Sequence, residues 1–464
     1  MTQIVKARGG KLAPTQECGG LPLFIDAFSG CGGLSLGLLR SGWSGLFALE
    51  KDGFAFDTYK SNLLDGRFSE SFHWPSWLPQ APTCIEVLIA GHHGALRSLR
   101  GKVALLAGGP PCQGFSSAGR RLAADPRNGM MNAYLQLVRL VEPAMVLLEN
   151  VRGFTVSFAE SDKSTKLVNY ADVLKEQLGA AYTVHWSLTN TSDFGVPQSR
   201  TRFILVGLRR DLTVAAMEVP QRIEEARRRF LRSKRLLSQI PAIAALSDLE
   251  VGRNGSAPCA DSKGFEAICY GSPRTQFQRL MRDGHDALPS DTRLARHRPV
   301  IVERFQQIIA QCRSTGRLNT SIGREMREEY GLKKMALRVL DPERPAPTIT
   351  SMPDDLLHYT EPRTLTVREN ARLQGFPDWF AFKGKYTTGG AKRRREVPRF
   401  TQVANAVPPP MAEILGSMLL EIWQQHLASA EPTSKPNPDA SVEGDVNQHG
   451  NVLEVRPVLD QVAP

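Results

Sequence analysis

The sequence predicts an α/β protein with a doubly wound, mostly parallel sheet, joined to a second, smaller and irregular region. Three observations carry this expectation. From about residue 21 to 208, short apolar runs alternate with amphipathic stretches, the rhythm of strands that cross over through helices into a parallel sheet. Several of those runs end on glycine-rich or acidic residues, and an open α/β sheet places its ligands at such strand ends. After residue 208 the rhythm stops, and the chain turns basic and irregular until order returns near Thr364.

The elements follow in order. Residues 1–20 are polar and glycine-containing and read as a loose leader. Leu23-Phe24-Ile25 is a strand, followed by a glycine-rich turn and a helix over Leu34–Arg40. Leu46–Leu49 is the next strand, ending at Glu50, and Val103–Ala107 the third. A helix is expected from about Met130 to Leu140, because Tyr134, Leu137, Val138 and Val141 recur at helical spacing. The strand Met145–Leu148 comes next, and Thr183–Leu188 and Phe203–Gly207 complete the series. Residues 220–240 read as an amphipathic helix, with Ile223, Ala226, Phe230, Leu237 and Ile240 on one face. From 241 to about 335 the pattern is irregular and rich in Gly, Ser and Arg. A last helix follows Pro408-Pro409-Pro410, from Met411 to about Leu427. Beyond Ala430 the composition is that of a disordered tail.

Composition narrows the function classes. At 464 residues with 41% hydrophobic content, two or three domains with a sizeable core are expected. No apolar run approaches the ~18 residues of a membrane span, and the first twenty residues show no secretory h-region. The seven cysteines (Cys18, Cys31, Cys84, Cys112, Cys259, Cys269 and Cys312) include no CxxC pair. Neither a disulfide framework nor a metal site is expected, which points to a reduced, cytoplasmic setting. The net charge of +11 points to a polyanionic partner, nucleic acid before an acidic membrane. Nine Lys and Arg residues against four acids fall between Arg209 and Ile240, and a second cluster is Lys392-Arg393-Arg394-Arg395.

Four local patterns carry chemistry. Gly108-Gly109-Pro110-Pro111-Cys112-Gln113-Gly114-Phe115-Ser116 delivers a thiol to the end of a strand on a proline-stiffened loop, the arrangement of a rigidly aimed nucleophile; a buried packing cysteine is the bland alternative. Asp26-Ala27-Phe28-Ser29-Gly30-Cys31-Gly32-Gly33 joins a strand to a helix, so a ligand can meet the helix N-terminus. The spacing is not GxGxxG and no P-loop lysine follows, so a dinucleotide or a bare phosphate fits less well than the nucleoside cofactor of methyl transfer. Glu50 stands where a nucleotide-binding sheet places its ribose acceptor. Glu149-Asn150-Val151 closes an apolar strand, where a partly desolvated carboxyl holds a proton near neutral pH. In Gln198-Ser199-Arg200-Thr201-Arg202 both arginines fall on one face and form a clamp for a base carbonyl or a carboxylate. A strand-end carboxylate and a solvated strand edge are, singly, commonplace.

Together these residues resemble the cytosine-C5 DNA methyltransferases of bacterial type, whether of restriction-modification systems or solitary. DAFSGCGG (26–33), GGPPCQGFS (108–116), ENV (149–151), QSRTR (198–202), RTLTVRENARLQGFPD (363–378) and QVANAVPP (402–409) occur in the family's order and frame residues 23–427. The stretch Arg338–Thr350 is also similar to bacterial members. The resemblance implies the fold of S-adenosylmethionine-dependent methyltransferases. It implies a catalytic, cofactor-binding domain at 21–208, a target-recognition region at 209–400, a C-terminal segment at 401–428 that returns to the catalytic domain, and a tail at 429–464.

The resemblance also implies roles. Cys112 attacks C6 of a cytosine flipped out of duplex DNA, Glu149 protonates or hydrogen-bonds N3, and Arg202, supported by Arg200, holds O2 and orients Glu149; Asn150 positions the Pro-Pro-Cys loop. S-adenosylmethionine would be held by Phe28, Gly30, Gly32, Gly33, Glu50, Pro110, Asn405 and Val407, with no metal. Ser116, Arg227, Arg228, Arg232, Lys392 and Arg393 would contact DNA. The implied protein is a nucleoid-associated monomer, with or without an endonuclease that acts on the same site. Three departures bear on cofactor affinity: Ala104 and Ala404 replace the family's usual Asp and Gly, and His92-His93 stand in the stretch 84–100, which shows no clear acidic residue for the adenine amino group. Competing readings are a tRNA cytosine-C5 methyltransferase, a non-catalytic DNA-binding relative and a nucleotide-binding oxidoreductase.

Overall fold

The computed structural model describes residues 22–111, 128–156, 158–159, 167–212, 214, 216–285, 287–389, 392 and 395–430. The expected leader, Cys112, Ser116, Arg393 and the expected tail lie outside these residues.

Six strands build the central sheet: β1 (Leu23–Ala27), β2 (Ser44–Leu49), β3 (Leu105–Gly108), β4 (Met145–Val151), β5 (Tyr182–Asn190) and β6 (Thr201–Arg209). Their spatial order is β2-β1-β3-β4-β6-β5. β1 pairs in parallel with β2 and with β3, and β3 in parallel with β4. β6 runs antiparallel to both neighbours. Residues 191–200 are too short a link for the helical crossover of about a dozen residues that a parallel pair needs, so the last strand turns back.

The helices that matter below are α1 (Gly33–Arg40), α2 (Gly53–Tyr59), α3 (Asn128–Val141), α4 (Tyr170–Gly179), α5 (Val219–Lys234), α6 (Pro299–Ser314), α7 (Val367–Leu373), α8 (Arg399–Asn405) and α9 (Pro409–Ala430). Both faces of the sheet are buried. Phe24 joins Leu36, Leu38, Met411 and Leu415 in one apolar cluster, whereas its neighbour Ile25 joins Tyr134, Leu137 and Leu174 in another. That alternation along β1 follows from the two-residue repeat of a strand. α9 packs closely on α1: a Cβ on Gly37 would come within 2.5 Å of the Glu413 amide. Trp43 Nε1 donates to the Gly416 carbonyl at 2.9 Å. The end of the chain thus forms part of the helical layer over the first strand.

Beyond the sheet, α5 ends at Arg235, whose φ of 54° is left-handed, short of the expected residue 240. Val219, Ala226, Ile240, Phe277 and Leu340 belong to the same cluster as Phe24. A separate small core forms where Phe305, Ile308, Ile309 and Cys312 of α6 meet Ile322, Met326, Val339 and Leu357. α6 lies in the stretch that reads as irregular. Its signal was present, with apolar residues at i, i+3, i+4 and i+7 and Pro299 in its first turn, but the glutamines and arginines between them dilute it. Nearby, β7 (Ser256–Pro258) and β8 (Glu266–Ile268) form an antiparallel ribbon. Among the described residues, no helix is long and apolar enough to cross a membrane, and no group of three or more His, Cys, Asp or Glu side chains stands ready for a metal.

Candidate active site

The parallel strands β1 to β4 end on one side of the sheet, and the expected site residues lie at those ends. After β1 the backbone takes left-handed conformations at Phe28 (φ 65°), Gly30 (φ 56°) and Gly32 (φ 100°). A Cβ on Gly30 would have no atom within 4 Å, so that face borders open space. The other two glycines serve packing: a Cβ on Gly32 would meet Leu63 at 2.8 Å, and one on Gly33 the Val407 carbonyl at 2.2 Å. Glu50, at the end of β2, accepts the Gly30 N–H at 3.0 Å on Oε2 and the Asp52 N–H at 2.8 Å on Oε1. Burial pushes its carboxyl above the usual range, although both amides favour the charged form. Carboxylate oxygens carry about two acceptor sites each, so Glu50 keeps capacity for a diol while it holds the turn. Phe28 is half-buried beside it. These features fit a nucleoside ligand at the ends of β1 and β2.

Beneath the turn, Ser35 donates to Asp26 Oδ2 at 2.6 Å and lies 3.0 Å from the Tyr59 hydroxyl. Asp26 is fully buried and its Oδ1 has no hydrogen-bond partner. Burial raises its pKa to about 7, against the lowering pull of Ser35.

β3 and β4 bring up the Pro-Pro loop and Glu149, the elements expected to carry the chemistry. Asn150 Nδ2 donates to the Pro110 carbonyl at 3.0 Å, and Asn150 Oδ1 accepts the Val151 N–H at 2.9 Å. One side chain therefore ties the Pro-Pro loop to the strand that carries Glu149. A Cβ on Gly109 would lie 3.1 Å from the Glu149 carbonyl, so glycine lets the loop run close to that strand. Pro110 is buried, and Cys112 follows Pro111 at the edge of the described residues.

Register puts Val151 opposite Arg202 and Glu149 opposite Ile204, so Glu149 and Arg202 are diagonal neighbours on one face. Arg202 Nε lies 2.7 Å from Glu149 Oε1. Burial holds the Glu149 carboxyl above its ordinary range, against the attraction of Arg202. Arg200 points elsewhere: its Nη1 donates to the Ala404 carbonyl at 2.5 Å.

The remaining motifs interlock. Gln198 Nε2 donates to Gln374 Oε1 at 2.8 Å, and Gln374 Nε2 reaches the Val403 carbonyl at 2.8 Å. Three stretches far apart in sequence are thereby joined by buried amides. Sequence reading missed Gln198 and Gln374 as site-building residues, since a glutamine beside two arginines gives no signal of its partner. Asn405 is exposed at the end of α8 and Val407 half-buried just beyond it. Ala404 and Ala104 are both buried among apolar neighbours, so neither departure opens a hole in the core. The stretch 84–100 contains one carboxylate in its first turn, Glu86. The Thr83 amide donates to the Glu50 carbonyl at 2.7 Å, and Glu86, in the next turn, accepts from the Cys84 thiol at 2.5 Å.

The expected DNA contacts are dispersed. Arg227 is engaged by Glu224 and by the Asp193 carbonyl, and Arg228 by Glu224. Arg232 is exposed, with Nε directed to the Arg228 carbonyl at 3.4 Å. Lys392 is exposed on the segment between Lys385 and Arg399.

Comparison with known proteins agrees with this geometry. The family model described as C-5 cytosine-specific DNA methylase matches residues 23–421. The Type II methyltransferase M.DdeI of Desulfomicrobium norvegicum is 29% identical over 413 residues, which cover 85% of this chain and 88% of that one. M1.HphI of Haemophilus parahaemolyticus is 27% identical, covering 86% and 87%. Among solved structures, a DNA modification methyltransferase encoded within an E. coli prophage superposes with a TM-score of 0.58 at 23% identity, over 87% of this chain and 99% of that one, and so shares the fold. The match over nearly the whole sheet and both flanking segments places this chain in the C-5 cytosine-specific DNA methylase family, as a DNA (cytosine-5-)-methyltransferase.

Proposed function

We propose that this protein methylates C5 of a cytosine within one short duplex DNA sequence, with S-adenosylmethionine as methyl donor and a transient covalent bond between Cys112 and C6. The observation that carries the reading is the buried Glu149–Arg202 pair, 2.7 Å apart, beside a Pro-Pro loop that Asn150 anchors. S-adenosylmethionine, when bound, supplies an electrophilic methyl group, and Phe28, Gly30, Glu50, Pro110, Asn405 and Val407 are the residues offered to hold it. Cytosine C5 is a weak nucleophile, and the rest of the site raises its reactivity. The Cys112 thiolate adds its electron pair to C6, which moves density to C5 and N3. Glu149 delivers its proton to N3, so charge does not accumulate on the ring. Arg202 donates to O2 and holds Glu149 in place. Once C5 carries the methyl group, loss of the C5 proton to a base restores the C5–C6 double bond and expels Cys112 as thiolate, while N3 returns its proton to Glu149. Because C5 and C6 are inaccessible inside the stack, the target base must leave the helix, at a cost of a few kcal/mol. Residues 209–400 supply target recognition in this reading.

The test is bisulfite sequencing of DNA from a methylation-free bacterial host that expresses the protein or its Cys112→Ala variant. Protected cytosines at one recurring short sequence, absent with the variant, are expected. Soluble protein that protects no DNA cytosine overturns the DNA reading and turns attention to RNA.

A further inference from the structure

At one edge of the β7–β8 ribbon, three arginines and two aromatic rings form a continuous run of contacts. The guanidinium carbon of Arg296 lies 4.2 Å from the Phe265 ring centre, and that of Arg293 lies 4.3 Å from Phe265 and 3.7 Å from Tyr386. Arg399 lies 4.2 Å from the same Tyr386 ring. The ribbon itself fixes Arg293, which bridges to Ala267, while the Leu294 amide donates to the Glu266 carbonyl at 2.8 Å. The inner end is braced by acids: Arg399 Nη1 lies 2.7 Å from Asp261 and 2.9 Å from Asp291, and Tyr386 donates to Asp261.

The outer end has no such brace. Among the described residues, no carboxylate lies within ion-pairing distance of Arg293 or Arg296. Among the described residues, each guanidinium makes one hydrogen bond, Arg293 to Ser262 at 3.4 Å and Arg296 to the Gly264 carbonyl at 3.2 Å. Two cations are thus oriented by aromatic faces, at little further cost in side-chain entropy, with most of their donors unused. Lys263 is exposed on the same ribbon loop; the neighbouring acids are Glu266, which is exposed, and Asp261, which is already held by Tyr386 and Arg399. Arg293 is half-buried and Arg296 exposed, and a guanidinium without a counter-ion favours an incoming anion with paired oxygens.

We propose that Arg293 and Arg296 dock two backbone phosphates of the DNA. The Phe265–Tyr386–Arg399 run sets their position relative to α8, the helix that ends at Asn405. This rests on the reading of the protein as a DNA methyltransferase and adds to it a surface that positions the duplex without reading bases. The experiment measures affinity for a duplex oligonucleotide over a series of salt concentrations, for the full chain and for the Arg293→Ala/Arg296→Ala variant. The expected result is a plot of log affinity against log salt that is flatter by about two in the variant, with the same methylated sequence and the same cofactor affinity without DNA. A Phe265→Leu variant keeps both cations but removes one platform, and should weaken binding with a smaller change in slope. An unchanged slope in the double variant overturns the proposal, and so does a change in the methylated sequence, which would mean base reading. Wild-type protein that binds duplex DNA but methylates no cytosine overturns the transfer reading alone, since the slopes still decide the docking surface.

Discussion

The guanidinium of Arg200 donates to the carbonyl of Ala404 at 2.5 Å, across more than two hundred residues of sequence. The two arginines of the Gln-x-Arg-x-Arg segment therefore divide their work. Arg202 faces Glu149, and Arg200 fastens the same strand to the helix that ends at Asn405. Gln198 and Gln374 make a second fastening at the same seam. The Glu149–Arg202 pair and the helix that ends at Asn405 are thus both tied to the segment 198–202.

Arg200→Met is accordingly expected to act on cofactor binding more than on chemistry. It leaves a buried carbonyl unpaired, at about 1–3 kcal/mol, which corresponds to roughly a fivefold to 150-fold rise in KM for S-adenosylmethionine if that energy appears in pocket closure. Steady-state kinetics should show kcat much less affected. A kcat that falls as far as in Arg202→Met would place Arg200 on the reacting base instead.

Glu149→Gln keeps the shape of the side chain but cannot pass a proton to N3, and kcat should fall by about 10²–10⁴. The pH profile adds a sign. Burial raises the Glu149 pKa and Arg202 opposes that rise. Activity that needs the protonated form is lost as pH climbs through this pKa. Arg202→Met removes the opposing attraction, so its residual kcat should persist to higher pH than in the wild type. Activity that instead falls at low pH, with an acid limb that shifts upward in Arg202→Met, would show that the ionised carboxylate is the working form.

Asp26 makes a separate prediction about stability. Its folded pKa, raised by burial, is about 7 against an ordinary 3.8, so the folded protein binds the proton more tightly than the unfolded chain. The stability linked to that proton is fully present below the ordinary value and is lost as pH rises through about 7, at up to roughly 1.4 kcal/mol per unit. Asp26→Asn should remove this slope. Urea denaturation at pH 5 and pH 8 should show the wild type losing more stability between the two than the variant; equal losses would refute the assignment.

The glycines of the turn should separate by function. Gly33→Ala drives a Cβ to 2.2 Å from the Val407 carbonyl, a backbone clash that no rotamer relieves, so thermal stability should fall markedly. Gly30→Ala meets no atom within 4 Å and carries only the strain of its φ of 56°, about 1–2 kcal/mol. That variant should fold and lose affinity for the cofactor, as equilibrium dialysis would show.

Much of the site was legible in one dimension because its parts are local. A strand that ends in Glu50, a Pro-Pro loop before Cys112 and a Glu-Asn pair after an apolar run each put chemistry at a strand end, and side-chain periodicity sets which face it takes. The antiparallel turn of β6 and the sixteen-residue α6 were harder to read. The first depends on loop length against crossover length, and the second on an apolar stripe diluted by polar neighbours.

The sequence by itself determined the six strands of the sheet in chain order, the motifs at the strand ends and the family to which they belong. Only the tertiary structure decided that Arg200 turns away to the Ala404 carbonyl, that Gly32 and Gly33 serve packing while Gly30 borders open space, and that Arg293 and Arg296 rest on Phe265 and Tyr386 with no acidic partner among the described residues. The physical reason is distance along the chain. Propensity and periodicity act over a few residues, whereas hydrogen bonds such as Arg200 to Ala404 join segments that only the folded core brings together.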